Sequence, residues 1–237
     1  MKDNSLAKLG GTCSILLGVS YIVIGINYLL LLPAAQRAGS TLDKSLPSFA
    51  QNPTPLTLQY WAFALGAVFA LAAVLAISET VRSTNEGWVR WTSNLAYLGF
   101  AVIAINNFLF LDRQPARAAA YVAGDAATKA AMVASGPVGL DPQGWLGFGA
   151  IGLWVLVVSL LALRGGAWPK PLAYVGIALA LVYWLVVAGF VLSIGLLVAI
   201  AAGLGGVILG PIWYIWIGVH LRRAAQMAPS SAASPAS

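Results

Sequence analysis

Five residues have the types and spacing to form a site: Asn27, Tyr28, Asn106, Asn107 and Asp112. Asn27 falls in the last turns of one long apolar stretch, and Asn106 and Asn107 in the last turns of another. A carboxamide donates and accepts hydrogen bonds without carrying charge. In apolar surroundings it must find a partner or become costly. The cluster therefore has two readings: a small polar pocket for a ligand, or interhelical hydrogen bonds that only fix packing.

The remaining chemistry is narrowed by what the stretches lack. No Asp, Glu, Lys or Arg lies inside any of them. Proton relays, carboxylate pairs, buried ion-pair gates and a retinal-binding lysine all need one. Cys13 and His220 are the only residues of their types. They cannot make an intrachain disulfide, a Cys/His zinc site or a bis-His haem, so no cofactor or metal is expected. Ser/His/Asp catalysis would need His220, at the opposite end of the stretches from the long loops. No glycine-rich phosphate cradle follows a strand. A reacting site would have to be built in the loops, from Asp112, Asp125 or Asp141 with Arg113 or Arg117.

The elements that position these groups follow from composition. Hydrophobic residues make up 60% of the chain and charged residues 8%. The mean hydropathy is +0.85. Soluble domains carry roughly 25% charged residues. Lipid is therefore the expected solvent for most of the surface. Six spans are predicted, at 14–32, 57–78, 91–111, 144–163, 171–191 and 197–219, in an all-α polytopic transmembrane bundle that forms one domain over 1–223. The charge-free run from Pro171 to Val219 is too long for one span and is expected to turn near Gly189, Ser193 and Gly195. The first apolar run exceeds the 7–15 residues usual in a signal peptide, so it is expected to stay as an uncleaved helix.

The net charge of +6 has no basic run or basic helix behind it, which excludes a nucleic-acid footprint. It follows the positive-inside rule instead. Lys2, Lys8, Arg82, Arg90, Arg164, Lys170, Arg222 and Arg223 fall on one side, in segments close to the helix ends. That side is expected to be cytoplasmic and to hold both termini, in a plasma (inner) membrane. Trp88, Trp91 and Trp168 are expected as anchors at the inner interface, and Tyr28, Tyr60, Trp61 and Trp145 at the outer one. Of the two long outer loops, 33–55 reads as irregular, and 116–135 as a short surface helix. Residues 224–237, rich in Ala, Ser and Pro, read as a disordered cytoplasmic tail.

Two further patterns concern packing. A shift of 77 residues places Trp91, Leu95, Ala96, Tyr97, Gly99 and Ala101 on Trp168, Leu172, Ala173, Tyr174, Gly176 and Ala178. Helices two-three and four-five then read as a duplicated hairpin, related by an axis along the membrane normal. Small residues recur at Gly11, Gly18 and Gly25, at Ala62, Gly66 and Ala70, and at Ala202, Gly206 and Gly210. Such lines let helices approach closely in lipid, within the chain or between copies of it. Pro211 is expected to kink the sixth helix.

The second half carries a recognisable arrangement. Gly152-Leu153-Trp154 leads through an apolar span to Leu163-Arg164-Gly165-Gly166, and Trp168-Pro169-Lys170-Pro171-Leu172 opens the next helix. This resembles a bacterial six-helix integral membrane family known only as a domain of unknown function. The resemblance implies a six-helix bundle in a prokaryotic inner membrane and carries over no catalytic residue.

The expected function is non-enzymatic: an accessory subunit of a membrane assembly, or a binder of a small molecule or lipid. The alternatives are a passive or gated transporter of an uncharged solute and an enzyme with its site in the outer loops. The expected partners are the lipid bilayer and other membrane subunits or further copies of the chain.

Overall fold

The computed structural model describes residues 4–37, 40–136 and 139–227, which form helices and short connections, with no strand among them. The first span is α1 (Asn4–Ile26), continued by a π-helical stretch, Asn27–Leu31. After it come α2 (Leu42–Gln51), α3 (Thr54–Val81), α4 (Glu86–Ala123) and α5 (Ala126–Ala134). A second π stretch, Trp145–Ala150, opens α6 (Ile151–Gly165), and α7 (Lys170–Val191) follows. The last span is α8 (Gly195–Gly203), a third π stretch, Leu204–Leu209, and α9 (Gly210–Met227). Six of these rods are long and apolar enough to cross a bilayer.

Local chemistry sets the boundaries. Asn85 caps α4 by accepting from Trp88 N at 3.2 Å. Proline occupies the first turn of α3 and of α7, where a missing N–H costs nothing. Gly166 closes α6 with φ +64°, a left-handed turn that side chains avoid. The turn between the fifth and sixth spans falls where it was expected, with Ser193 at φ 56° and Ile194 N bonded to Gly189 O at 2.8 Å.

Each span packs on the next, and the sixth returns to the first, so the ring closes. The second span also touches the fourth and sixth. Both ends of the described chain, Asn4 and Met227, lie at one end of the bundle, here the terminal end. α2 and α5 sit at the other, capped end. The glycine lines work within the chain. A Cβ on Gly11 would lie 2.8 Å from Gly218 O, and one on Gly218 would lie 2.6 Å from Gly11 O, so α1 and α9 touch backbone to backbone. Gly18 and Gly25 face Ile215 and Val207 of the same last span, while Gly66 faces Ser20 of the first. Without a hydrophobic drive between helices in lipid, this close approach supplies the dispersion contact that holds them.

Four expectations need correction. Within 33–55, expected to be irregular, α2 forms despite Pro47, because Leu42, Leu46 and Phe49 share a helical face, which buries Leu46 and Phe49. The surface helix expected over 116–135 is two pieces. The third span runs on through Pro115 to Ala123, and only Ala126–Ala134 forms a separate helix. At 1.5 Å per residue the 38 residues of α4 reach about 57 Å, well past the ~30 Å hydrocarbon thickness. Its extension presents Ala118 and Tyr121 to α2. Trp168 is not an interfacial anchor: it is 4% exposed and donates to Thr80 Oγ1 at 2.9 Å, whereas Trp88 and Trp91 are half exposed. Of the expected tail, 224–227 continues α9; 228–237 lie outside the described residues.

Pro211 disturbs the sixth helix through the π stretch ahead of it, where Gly210 N bonds Gly205 O, five residues back. Residues paired by the 77-residue shift share their surroundings only in part. Ala96 and Ala173 are both fully buried, but Trp91 is 51% exposed and Trp168 4%.

Candidate functional site

Asn27 begins the π stretch that ends the first span and is 1% exposed. Its Nδ2 donates to Pro55 O at 2.9 Å and to Gln59 Oε1 at 2.8 Å. Both amide hydrogens are therefore spent on acceptors of the second span. Asn27 Oδ1 is buried and receives no donor from protein atoms. Tyr28 is half-buried beneath Arg37, whose guanidinium carbon lies 5.4 Å from the ring centre. Arg37 also donates to Leu32 O and Leu29 O, satisfying carbonyls that the end of a helix leaves open.

A second buried amide holds the same connection from the loop side. Gln36 Nε2 donates to Ser48 Oγ at 3.1 Å and to Asn52 O at 3.0 Å, and its Oε1 is likewise buried without a partner. Asn27 and Gln36 thus grip the two ends of the Asn52–Pro55 connection that leads from α2 into α3.

The other expected site residues lie on the third span. Asn107 is 8% exposed and returns its amide to Ile103 O of its own helix at 2.6 Å. Asn106 is half-buried and accepts from Leu140 N at 3.0 Å. Asp112 is exposed on the extension of α4. No hydrogen bond links Asn27 to Asn106 or Asn107 among the described residues. The five residues therefore divide: Asn27 belongs to the junction of the first two spans, and Asn106 and Asn107 to the third. The reading of the sequence missed Gln36, Gln59 and Gln114, all under 8% exposed. Gln59 carried a signal, since it is an uncharged polar residue inside the second apolar stretch.

Two of the carboxylates, Asp141 and Asp125, serve as helix caps. Asp141 Oδ2 accepts from Leu146 N at 2.8 Å and Gly147 N at 2.7 Å, where the fourth span begins. Asp125 caps α5 through Thr128 N at 2.8 Å, and this hydrogen bond holds its carboxyl below the usual carboxylate range. No three His, Cys, Asp or Glu residues converge among the described residues.

The interior of the bundle holds uncharged polar groups that the sequence did not reveal. Ser78 and Ser93 share a hydrogen bond of 2.7 Å, and Trp154 Nε1 donates to Ser78 Oγ at 2.9 Å. Ser14 Oγ donates to Tyr214 O at 2.7 Å, and the Tyr21 and Tyr183 hydroxyls meet at 3.2 Å. Trp213 stands edge-on to Trp154, Trp168 and Tyr214. Ser159 Oγ and Trp213 Nε1 both crowd the bare face of Gly176, so a side chain there would collide with them. Among the described residues no Asp, Glu, Lys or Arg is buried. These groups fix which helices meet; none carries a charge that could be moved.

Two recesses lie on the surface. A groove of about 300 Å³ runs between α1 and α3, lined by Val19, Val23, Leu58, Trp61, Leu65 and Phe69 among others. Its one hydroxyl, on Ser20, is turned back to Leu16 O. A shallower recess of about 410 Å³ at the terminal end is lined by Asn85, Gly87, Trp88 and Trp91.

Six apolar rods in a closed ring, with the ionic groups of the described residues at its two margins, make an all-helical bundle with six candidate membrane spans. Residues 16–221 match the model of the family described as Domain of unknown function (DUF4386), and the chain belongs to that family. Searches of curated proteins and of solved structures return no match.

Proposed function

We propose that this is a non-enzymatic protein of the plasma (inner) membrane, with both termini cytoplasmic, that works by binding: a lipid or small molecule, or a larger membrane assembly as its accessory subunit. The observation that carries the proposal is the filled axis of the bundle. Trp154, Trp213 and Tyr214 have no exposure, and Phe100 has 1%. A solute path would have to displace these large aromatics, Trp154 held by its hydrogen bond to Ser78 and Trp213 by edge-on contacts with three rings. This packing disfavours the transporter reading. The separation of Asp112, Asp125 and Asp141 into an exposed side chain and two caps disfavours an enzyme in the loops. The orientation rests on Lys8, Arg82, Arg90, Arg164, Lys170, Arg222 and Arg223, which all fall at the terminal end.

Two measurements test the proposal. Proteoliposomes challenged osmotically with glycerol or urea should shrink and recover at the rate of protein-free vesicles. Faster recovery would move the assignment to transport. Purification in mild detergent followed by mass analysis should show a stoichiometric lipid, small molecule or protein partner. A chain that runs bare in every detergent would overturn the binding reading.

A further inference from the structure

The groove and the unpaired oxygen of Asn27 are separate observations on the same pair of helices, α1 with its π extension and α3. Val23 lies one helical turn before Asn27, and Leu58 directly precedes Gln59. The apolar groove therefore runs up to the level of the Asn27–Gln59 hydrogen bond. Below that level its polar groups are few: the Ser20 hydroxyl, whose proton is donated to Leu16 O, and the Trp61 indole. Beside its upper end is a buried carbonyl oxygen with no donor. The amide cannot rotate to hide it. Turning Asn27 over would set its oxygen against Pro55 O and Gln59 Oε1, acceptor against acceptor. A buried acceptor of this kind calls for a donor from outside the fold.

Resting on the binding reading above, we propose that this is a lipid site: the groove seats one acyl chain of a neutral, hydroxyl-bearing membrane lipid, and its headgroup hydroxyl donates to Asn27 Oδ1. Chain chemistry and headgroup chemistry are each set by the lining. Val19, Trp61, Leu65 and Phe69 present only hydrocarbon and one indole, which suits a methylene chain and no polar solute. The headgroup is neutral because the partners around Asn27 are. Pro55 O and Gln59 carry no charge, and the nearby Arg37 is committed to the Leu29 and Leu32 carbonyls and to the face of Tyr28. A phosphate or ammonium brought to this depth would be desolvated without a counter-charge, whereas a hydroxyl needs only the one acceptor that stands open. The way in lies through lipid. The π turn that Asn27 opens carries Leu29, Leu30 and Leu31, at 59%, 76% and 57% exposure, on the outside of the bundle.

The test uses the full chain in detergent, read by native mass spectrometry. The probes are dioleoylglycerol, its methyl ether, which keeps both chains and loses only the donor, and dioleoyl phosphatidylcholine. The expected result is a single dioleoylglycerol adduct, favoured over the methyl ether by about tenfold, the scale set by one buried hydrogen bond. Asn27→Leu should erase that preference while chain binding persists. Because Asn27 also anchors Pro55 and Gln59, Val19→Trp and Leu65→Trp serve as independent variants. Both positions are 43% exposed and line the groove, so a larger side chain there fills it without entering the core. Each should reduce the adducts of all three lipids. Equal binding of dioleoylglycerol and its methyl ether would overturn the proposal and assign the oxygen to water. Adducts unchanged by Val19→Trp and Leu65→Trp, or a preference for phosphatidylcholine, would overturn it as well. Those failures differ from failure of the binding reading itself, in which no lipid, small molecule or partner is retained by the unmodified chain.

Discussion

Gly218→Ala tests the physical basis of the bundle most directly. The added Cβ would stand 2.6 Å from Gly11 O, 2.8 Å from Ile15 Cγ1 and 3.0 Å from Ile15 N. Ordinary van der Waals contact begins near 3.4 Å, so the first distance falls about 0.8 Å short. Two of the three obstacles are backbone atoms, so a side-chain rotation cannot relieve the overlap and α1 must move away from α9. Overpacking of this kind costs about 1–3 kcal/mol. Alanine in place of glycine in a helix returns up to ~1 kcal/mol through propensity. The net expectation is destabilisation by about 1–2 kcal/mol, or a melting point lower by roughly 2–8 °C. Gly203→Ala is the control. Gly203 has helical backbone angles, φ −62° and ψ −50°, and nothing within 4 Å of its added Cβ. It should gain stability by up to ~1 kcal/mol from propensity alone. The assay is thermal unfolding in one detergent, followed by intrinsic tryptophan fluorescence. If both variants shift in the same direction by similar amounts, the two helices are not in backbone contact and close approach does not hold this bundle together.

Other expectations follow from the hydrogen bonds. Ser78→Ala should strand the buried Trp154 indole and cost about 1–2 kcal/mol, and Trp154→Phe in the same chain should recover part of that loss; a double-mutant cycle reads the coupling. Arg37→Ala should free the Leu29 and Leu32 carbonyls and raise amide exchange over the last turn of the first span, with little change in α7; a uniform change across the chain would contradict this. The Asp125 carboxylate has a depressed pKa in the folded chain, so its cap is fully present above the ordinary carboxylate value and is lost as pH falls through the lower folded value. Amide protection in α5 should therefore drop in acid, and Asp125→Asn, which caps without titrating, should lose that dependence.

The spans and the turn at Ser193 could be read from the sequence because lipid imposes a length and bars charge, both visible residue by residue. The family resemblance of Gly152 to Leu172 also led in the right direction. α2 was hidden by Pro47 and its polar neighbours, although Leu42, Leu46 and Phe49 carried a helical period. The third span was cut at Asp112 because charge marks the bilayer edge, whereas the helix itself does not stop there. Asn27 was identified as a residue needing a partner, but Gln59 was not identified as that partner. The Tyr21–Tyr183 and Trp154–Ser78 contacts were out of reach for the same reason. Each depends on which faces of two helices meet, and no local pattern in an all-apolar helix specifies that. Trp168 shows the limit clearly: its type and position suit an interfacial anchor, and only the neighbouring Thr80 draws it inward.

The widened turn at Leu204–Leu209 carries one residue more than an unbroken α-helix would need between the same two packing surfaces. Deleting a residue there would restore the tighter winding and leave α8 and α9 in register with their neighbours, while the same deletion inside α9 would swivel everything beyond it by about 100°. This stretch is therefore a length buffer. A single-residue change of length in the last span can be absorbed ahead of the proline, with both halves facing as they do here.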